Sequence, residues 1–563
     1  MFKYFSGIVL ILSLTAPCDD SYVIQIPQSV DLNETQSFQI IVTENNLDPD
    51  ETLYIDLPDS FSLSDSHGRD DISGTLSGNH ISYEAGDESS RTVTIHTTEL
   101  PAGDWSCDLM VTIGLEHHYP SNVLIPGTQL NQILSDIDPQ SITFSNDMVS
   151  FNASYDVSLA QDDSILLYID GGDVIISNSR SEPMIANENM SGAFSGLSSL
   201  TSISDLDCVD FSQCRNISGM FSDNHLLSVI GDLEDMDTQN ISDMSYLFSN
   251  CLDITTIRIS NWDTSSVTDM RSMFAFCFRL KTLSLTSWDV SSVESFKDMF
   301  AGCASLTSTG NLDGWDLSEC EDLSGLFDSC SKLRNIGDLS LWQTDDVTDM
   351  SKLFRNCSKL SSVGDLSGWN VENVNSFAYM FSNTAELVSC GDISLWEVSD
   401  ACEDLSYMFQ NSASALPSVL DLDGWDVSSV RDMSHMFENS YTLTVLDISG
   451  WDSGNLISAS SMFRFTETGR LSPLTDIIGI GSLDTSSLKD ISYIFYENQY
   501  LSCDLSAWNT DSLEDISYAF YGTYRFDIDK LKHWNVSSVL NMTETFGDNA
   551  GSLISSPVPD WYQ

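Results

Sequence analysis

The sequence predicts an α/β repeat solenoid of about 14 units, wound right-handed, behind a small all-β sandwich module. Three observations predict it. A phenylalanine recurs at Phe194, Phe221, Phe248, Phe274, Phe300, Phe327, Phe354, Phe381, Phe409, Phe437, Phe463, Phe495, Phe520 and Phe546, at steps of 25 to 28 residues apart from one of 32. Ten of the 12 tryptophans, Trp262 to Trp534, keep the same beat. Prolines cluster between Pro27 and Pro183 and are then absent until Pro417, which sets the array apart from what precedes it.

The elements follow in chain order. Residues 1–18 have the shape of an export signal: Lys3 precedes a short apolar core, Phe5 to Ala16, and Ala16-Pro17-Cys18 fits a small-x-small cleavage site. Cys18 also admits a lipid-anchored reading, the weaker one because Pro17 adjoins it. Residues 19–117 carry short alternating runs, SYVIQI, SFQIIVTE, TLYIDLP, RTVTIHT and DLMVTIGL, between Asn, Asp, Gly and Pro turns, as a small antiparallel, Ig-like sandwich requires. Residues 118–186 connect and cap the array, with a helix around Leu130 to Ile137 and a hairpin turning at Asp170-Gly171-Gly172-Asp173. The solenoid spans 187–550, and 551–563 is read as a tail without a sorting signal. No run after the signal is long and apolar enough for a membrane helix.

Inside one unit, Leu280-Lys-Thr-Leu283-Ser-Leu285-Thr-Ser-Trp288 has the L-x-x-L-x-L spacing of a leucine-rich repeat. Leu283 and Leu285 alternate, so both face one side of a short strand. Ser292 to Ser295 then opens a helical turn capped by a serine hydroxyl, and Val293, Phe296, Met299 and Phe300 form its apolar stripe. One unit cannot bury that stripe alone, so neighbours stack. Trp262, Phe274, Trp288, Phe300, Trp315 and Phe327 are therefore read as structural repeat positions; an exposed, sugar-stacking tryptophan ladder is the alternative. Of the 13 cysteines, Cys251, Cys277, Cys303, Cys330 and Cys357 each fall three residues after the marker phenylalanine, as buried thiols in a column more readily than as disulfides.

Charge bounds the function. Against 22 Lys+Arg stand 84 Asp+Glu, a net charge of −62, which excludes nucleic acid as a partner. The acids are spread along the chain as a solvated surface, with calcium dependence or a basic partner left open. There is no H-E-x-x-H, nucleophile elbow or P-loop, and His117-His118 is a surface pair with no metal-ligand spacing. The aspartates after tryptophan recur unit after unit, as structural residues do, and DLDGWD at Asp421 to Asp426 lacks the glutamate of a calcium loop. No enzyme, cofactor or metal site is expected.

The W-D-x-S-S-V-x-D-M-x-x-M-F unit at Trp262 to Phe274 and Trp425 to Phe437 resembles the BspA-like leucine-rich-repeat surface proteins of host-associated bacteria, over roughly residues 185 to 550. LPDSFSLSD and LPAGDWSCDLMVTIGL are similar to modules found beside such repeats in secreted Gram-positive proteins. The resemblance implies a secreted or cell-surface adhesin holding host extracellular-matrix or cell-surface proteins, glycans or other microbial surfaces. The candidate binding residues are Arg464, Arg470, Tyr496, Tyr500, Tyr521 and Tyr524, in and after the insertion that lengthens the step to Phe495. Tyrosine and arginine are the side chains that anchor interfaces. The concave strand positions are a second candidate surface. A glycan-binding surface protein and a self-associating coat component are the rival readings.

Overall fold

The computed structural model describes residues 122–547 and 559–562, apart from 148, 150–154, 179–182, 232, 413–414 and 468, and the backbone of nine strands before them. The chain divides into two compact units, Met1–Val123 with Leu159–Asp162, and Leu124–Ser158 with Asp163–Gln563.

In the first unit the alternating runs become strands: β1 (Leu10–Leu14), β2 (Tyr22–Gln25), β3 (Ser37–Glu44), β4 (Glu51–Asp56), β5 (Phe61–Leu63), β6 (Leu76–Ser77), β7 (His80–Glu84), β8 (Arg91–Thr97) and β9 (Leu109–His117). They form two sheets, ordered β1-β9-β4-β7-β6 and β2-β3-β8-β5. β1 lies within the segment read as an export signal and runs parallel to β9, while the remaining pairs are antiparallel.

The second unit opens with α1 (Gly127–Ile137), the only α-helix among the described residues. It buries Leu130 and Leu134 and ends at Asp138 in a left-handed conformation. The Asp138 carboxylate accepts from the Ser199 amide at 3.0 Å and from the Ser198 and Ser199 hydroxyls, tying the helix end to the first repeats. These bonds hold Asp138 below the usual carboxylate range, the Ser199 amide foremost. β10 (Ser141–Ser145), β11 (Tyr155–Asp156), β12 (Ile165–Asp170) and β13 (Asp173–Asn178) follow, with β12 and β13 a hairpin in which Asp170 opposes Asp173. β14 (Met184–Ile185), β15 (Ser202–Ser204), β16 (Val209–Asp210) and β17 (Val229–Ile230) belong to the first repeats. β10 pairs parallel with both β13 and β15, so the sheet β11-β12-β13-β10-β15-β17 runs from the hairpin straight into the array. Its open edge is thereby covered.

From there the chain is a stack of turns. Single parallel bridges join equivalent residues of successive repeats, from Asn189–Asn216 through Asp243–Asp269 to Asp515–Asn541. A second line, Thr256–Thr282–Ser308–Asn335, is widened further along into β18 (Val419–Asp421), β19 (Val445–Asp447) and β20 (Asp476–Ile478). Leu280, Leu283 and Leu285 are all buried.

The helical half of each unit is corrected. Val293, Phe296, Met299 and Phe300 are buried, but they stand on tight turns. In the unit of Phe274, the amides of Met270, Ser272, Phe274 and Phe276 donate to Ser295, Lys297, Met299 and Ala301 of the next repeat. Those of Met273, Ala275 and Cys277 turn back three residues, to Met270, Ser272 and Phe274. Every second amide thus leaves the turn, and no i→i−4 ladder remains to make a helix. A helix of six or seven residues would also carry an unfavourable nucleation cost. The alternative requires left-handed residues four apart, Ser272 at φ 53° and Phe276 at φ 60°, and nearly every turn repeats that pair. The cost, about 1–2 kcal/mol per non-glycine residue, is offset by the bonds between repeats.

The expected serine cap is also replaced. Ser292 donates its hydroxyl to Ser265 O of the preceding repeat at 3.0 Å, and the turn is capped by Asp289, whose carboxylate accepts from the Ser291 amide at 3.1 Å. Asp263 does the same for Ser265, whose hydroxyl and amide lower its pKa. The aspartate after tryptophan recurs because each turn needs an acceptor there.

Three columns run through the core. All fourteen marker phenylalanines follow one another in a column, with centroids 5.4–5.9 Å apart from Phe194 to Phe546, stacked except at Phe495–Phe520, where the rings tilt by 35°. Phe144 of β10 closes one end edge-on at 6.0 Å. The tryptophans Trp262 to Trp534 form the second column, 1–6% exposed, and each indole Nε1 donates to a carbonyl one repeat back, as Trp342 does to Leu312 O at 2.9 Å. Trp561 continues it, stacking on Trp534 and donating to Leu531 O at 3.0 Å, so residues 559–562 belong to the stack and not to a tail.

The third column is the cysteines, all free thiols among the described residues. Cys277, Cys303 and Cys330 donate to Phe248, Phe274 and Phe300 O of the preceding repeat, each at 3.1 Å. Asn224, Ser412 and Asn498 take the same place elsewhere and donate to Phe194, Phe381 and Phe463 O. The position calls for a small buried donor, which a thiol, an amide or a hydroxyl supplies equally. Burial pushes the Cys303 thiol up to about 12, far from a reactive thiolate. A thiol reagent will therefore leave Cys251, Cys277, Cys303, Cys330 and Cys357 unmodified in the native protein and label them only in denaturant. Peptide mass spectrometry reads this directly; labelling in buffer would contradict the packing.

Candidate functional site

In most turns the residue two before the marker phenylalanine is at least partly exposed, and the residue after it is partly exposed in some turns and buried in others. In most repeats these hold small or charged residues. From Phe354 to Phe520 they hold aromatic, amide and ionic side chains that touch along the stack.

Three of the expected residues meet there. Arg464 lies over Tyr493 at 5.0 Å and Tyr496 at 5.6 Å. Tyr496 stacks on Tyr521 at 5.0 Å, and Tyr493 on Tyr518 at 4.6 Å. The result is a half-buried quartet of tyrosines with a guanidinium across its end. Stacking on two rings adds about 0.5–2 kcal/mol per cation–π contact, and rigid rings lose little entropy on binding.

The other three stand apart from it. Arg470 lies over Tyr441 at 5.5 Å in the insertion, where Glu467 also accepts from the Tyr441 hydroxyl at 2.8 Å. Tyr500 is 38% exposed and holds Arg525 over its ring at 5.2 Å, while Tyr524 is 41% exposed. Trp262, Phe274, Trp288, Phe300, Trp315 and Phe327 are all core, and buried indoles cannot form a sugar-stacking ladder.

Sequence reasoning missed the residues upstream. Tyr379, Tyr407 and His435 stack face to face at 4.2 and 4.3 Å. Their signal was present in three consecutive units, AYMF, SYMF and SHMF. It was obscured because the outward position changes residue type along the chain while the core does not.

An ionic knot joins the two groups. Glu438, its side chain 7% exposed, accepts from Gln410 Nε2 at 2.6 Å, contacts His435 Nδ1 at 2.7 Å and faces Arg464 Nη1 at 3.5 Å. Burial works to raise its pKa, but the bonds from His435 and Gln410 and the charges of His435 and Arg464 outweigh it, and the net shift is downward. A carboxylate lowered in the folded state adds stability above its unfolded pKa and loses it as pH falls through the folded value. As pH falls below the ordinary glutamate range, the native protein will lose stability that Glu438→Gln does not. Denaturant titrations of both from pH 7 downward check this; parallel pH profiles would refute it.

Among the described residues no group of three or more His, Cys, Asp or Glu is placed to hold a metal ion. In DLDGWD, Asp421 accepts from the Asp423 amide and Asp426 from that of Ser428, so the two carboxylates cap separate turns. No helix among the described residues is long and apolar enough to cross a membrane. No curated protein matches the chain. A family model does, repeatedly, over residues 188–311, 215–338, 304–420, 392–470 and 469–561, its copies overlapping as they must on an array of near-identical turns. The last match takes in Trp561, the final ring of the tryptophan column. The chain is a repeat protein and belongs to the family described as Mycoplasma protein of unknown function, DUF285.

Proposed function

We propose that this is an exported, surface-associated adhesin of BspA-like type, whose repeats form a right-handed leucine-rich-repeat solenoid and hold a macromolecular partner without catalysis. The L-x-x-L-x-L leucines buried behind parallel bridges support the solenoid reading, and the repeated family matches support surface association. The observation that carries the binding reading is the Arg464–Tyr493–Tyr496–Tyr518–Tyr521 cluster. In a chain of net charge −62, it is an aromatic surface whose arginine is matched to a buried glutamate. Such a surface fits a host-matrix, cell-surface or microbial protein better than a sugar. Stacked tyrosines cover one another's faces, and sugars need those faces free.

The test is direct binding of the protein to immobilised matrix proteins and glycans at physiological salt, with and without calcium. Arg464→Glu and Tyr496→Ser run beside it, and thermal melting verifies their folding. Saturable binding to a protein, weakened about tenfold or more by either variant, is the expected result. Silence across the panel, or binding indifferent to both variants, would overturn the assignment.

A further inference from the structure

The residues four, five and seven after the marker phenylalanine form a strip along the stack, and on the units of Phe274 to Phe354 that strip is unlike the rest of the molecule. It carries Arg279, Lys281, Lys332, Arg334 and Lys359, five of the chain's 22 Lys+Arg, and no carboxylate. All of its positions in these four units are at least partly exposed. Backbone bonds hold successive rungs in register: Thr307 N donates to Lys281 O at 2.8 Å, Arg334 N to Thr307 O at 3.3 Å and Ser361 N to Arg334 O at 3.5 Å. The cations therefore stand one or two rungs apart, at about 5 to 10 Å.

The fold uses only the cations at the two borders. Arg279 Nη1 pairs with Asp253 Oδ1 at 3.0 Å, and Lys359 pairs with Glu386. The Lys359 bond lowers the Glu386 pKa, and Arg334 adds to that by charge alone. Among the described residues Lys281, Lys332 and Arg334 make no ion pair, although the chain holds 84 Asp+Glu to supply one. Beside them is an apolar corner. Phe276 and Phe278 are 46% and 45% exposed and meet edge-on at 6.0 Å. No ring stacks on Phe278 among the described residues. Gly302 and Ala304 hold the equivalent places in the next repeat, so nothing longer than a methyl group stands beside the rings on that side. The contact is close: a Cβ on Gly302 would lie 2.7 Å from Phe276 Cδ1.

Three unneutralised cations in a line call for an extended anion, and the surrounding −62 limits its width. At physiological salt the screening length is about 8 Å, so a thin chain laid along the strip feels the cations before the flanking carboxylates. A broad acidic protein surface would press its own carboxylates against those flanks. Duplex nucleic acid, with a charge every ~1.7 Å, brings far more charge than cations 5 to 10 Å apart can neutralise. A sulfated glycan carries its charges sugar by sugar, on the scale of the rungs, and its C–H faces pack on an aromatic ring such as Phe278. We propose that this strip holds a sulfated glycan, with sulfates on Lys281, Lys332 and Arg334 and a sugar ring against Phe278. The site goes beyond the protein-binding reading of the tyrosine cluster and stands on different repeats.

The experiment is surface plasmon resonance of the full chain over immobilised heparin, hyaluronan and poly-glutamate, from about 0.05 to about 0.5 M NaCl. Saturable binding to heparin is expected, falling as salt rises, with little to hyaluronan, which has carboxylates and no sulfate. Lys332→Glu combined with Arg334→Glu should weaken it about tenfold or more and flatten its salt dependence. Phe278→Ser should weaken it at least about threefold while leaving the salt dependence unchanged. Both substitutions are at exposed positions, and thermal melting verifies that the fold is kept. Arg464→Glu should leave heparin binding intact while weakening binding to a protein partner, so the two assignments fail separately. No retention on heparin, binding unmoved by the double variant, or equal affinity for hyaluronan or poly-glutamate would overturn the proposal.

Discussion

Trp342→Ala is expected to destabilise the repeat unit by about 3–5 kcal/mol, with a further loss of about 1–3 kcal/mol for the carbonyl it leaves without its donor. The indole is 3% exposed and stacked between Trp315 and Trp369 at 6.2 and 6.0 Å, so its removal opens a cavity between two stacked rings. Its Nε1 donates to Leu312 O at 2.9 Å, one repeat back, so the same substitution also cuts a bond between repeats. Trp342→Phe separates the two contributions, since it keeps most of the stacking and removes only the donor. Denaturant unfolding of the three proteins measures both. The alanine variant should also split the transition in two, because stability in a stacked array is carried by nearest-neighbour interfaces and this one lies mid-chain. A single transition with an unchanged midpoint would mean that the tryptophans do not hold the stack, and an exposed role for them would have to be reconsidered.

The core of this fold was legible because it repeats. Phe194 to Phe546 and Trp262 to Trp534 are residues whose types barely change, since each must fit the same slot between two copies of itself. The turn conformation was not legible. Val293, Phe296, Met299 and Phe300 have the spacing of a helical stripe, and a turn with two left-handed residues four apart buries the same positions. Periodicity reports which side chains face inward, and it is silent on where the amides go. Here they go to the next repeat, a partner that no local pattern displays. The outward positions were half legible. Arg464, Tyr496 and Tyr521 stood out by composition and do converge, whereas Arg470 belongs to Tyr441 in the insertion. Tyr379, Tyr407 and His435 could be grouped only once most turns were known to expose, at least partly, the residue two before the phenylalanine.

Closeness of the repeats, and not side-chain chemistry alone, sets what this array tolerates, and two glycines isolate that effect. Gly469 and Gly479 sit at φ 81° and 87°, so alanine at either meets a similar backbone penalty of about 1–2 kcal/mol. Their surroundings differ completely. A Cβ on Gly469 would meet nothing within 4 Å, whereas one on Gly479 would lie 2.3 Å from Ser449 Cα and 2.6 Å from Ser449 N in the preceding repeat. Those are backbone atoms, with no rotamer to swing aside, and Ile448 N is bonded to Ile478 O at 3.0 Å just beside them. Relief requires the two repeats to separate, which breaks the β19–β20 pairing of Val445–Asp447 with Asp476–Ile478. Gly479→Ala should therefore cost at least about 3 kcal/mol and Gly469→Ala no more than about 2 kcal/mol. Paired thermal or denaturant melts give the difference directly. Because the two substitutions share their conformational cost, that difference is the energy of forcing one methyl group between stacked backbones. Equal costs would show that the repeats give way more easily than a close-packed stack allows.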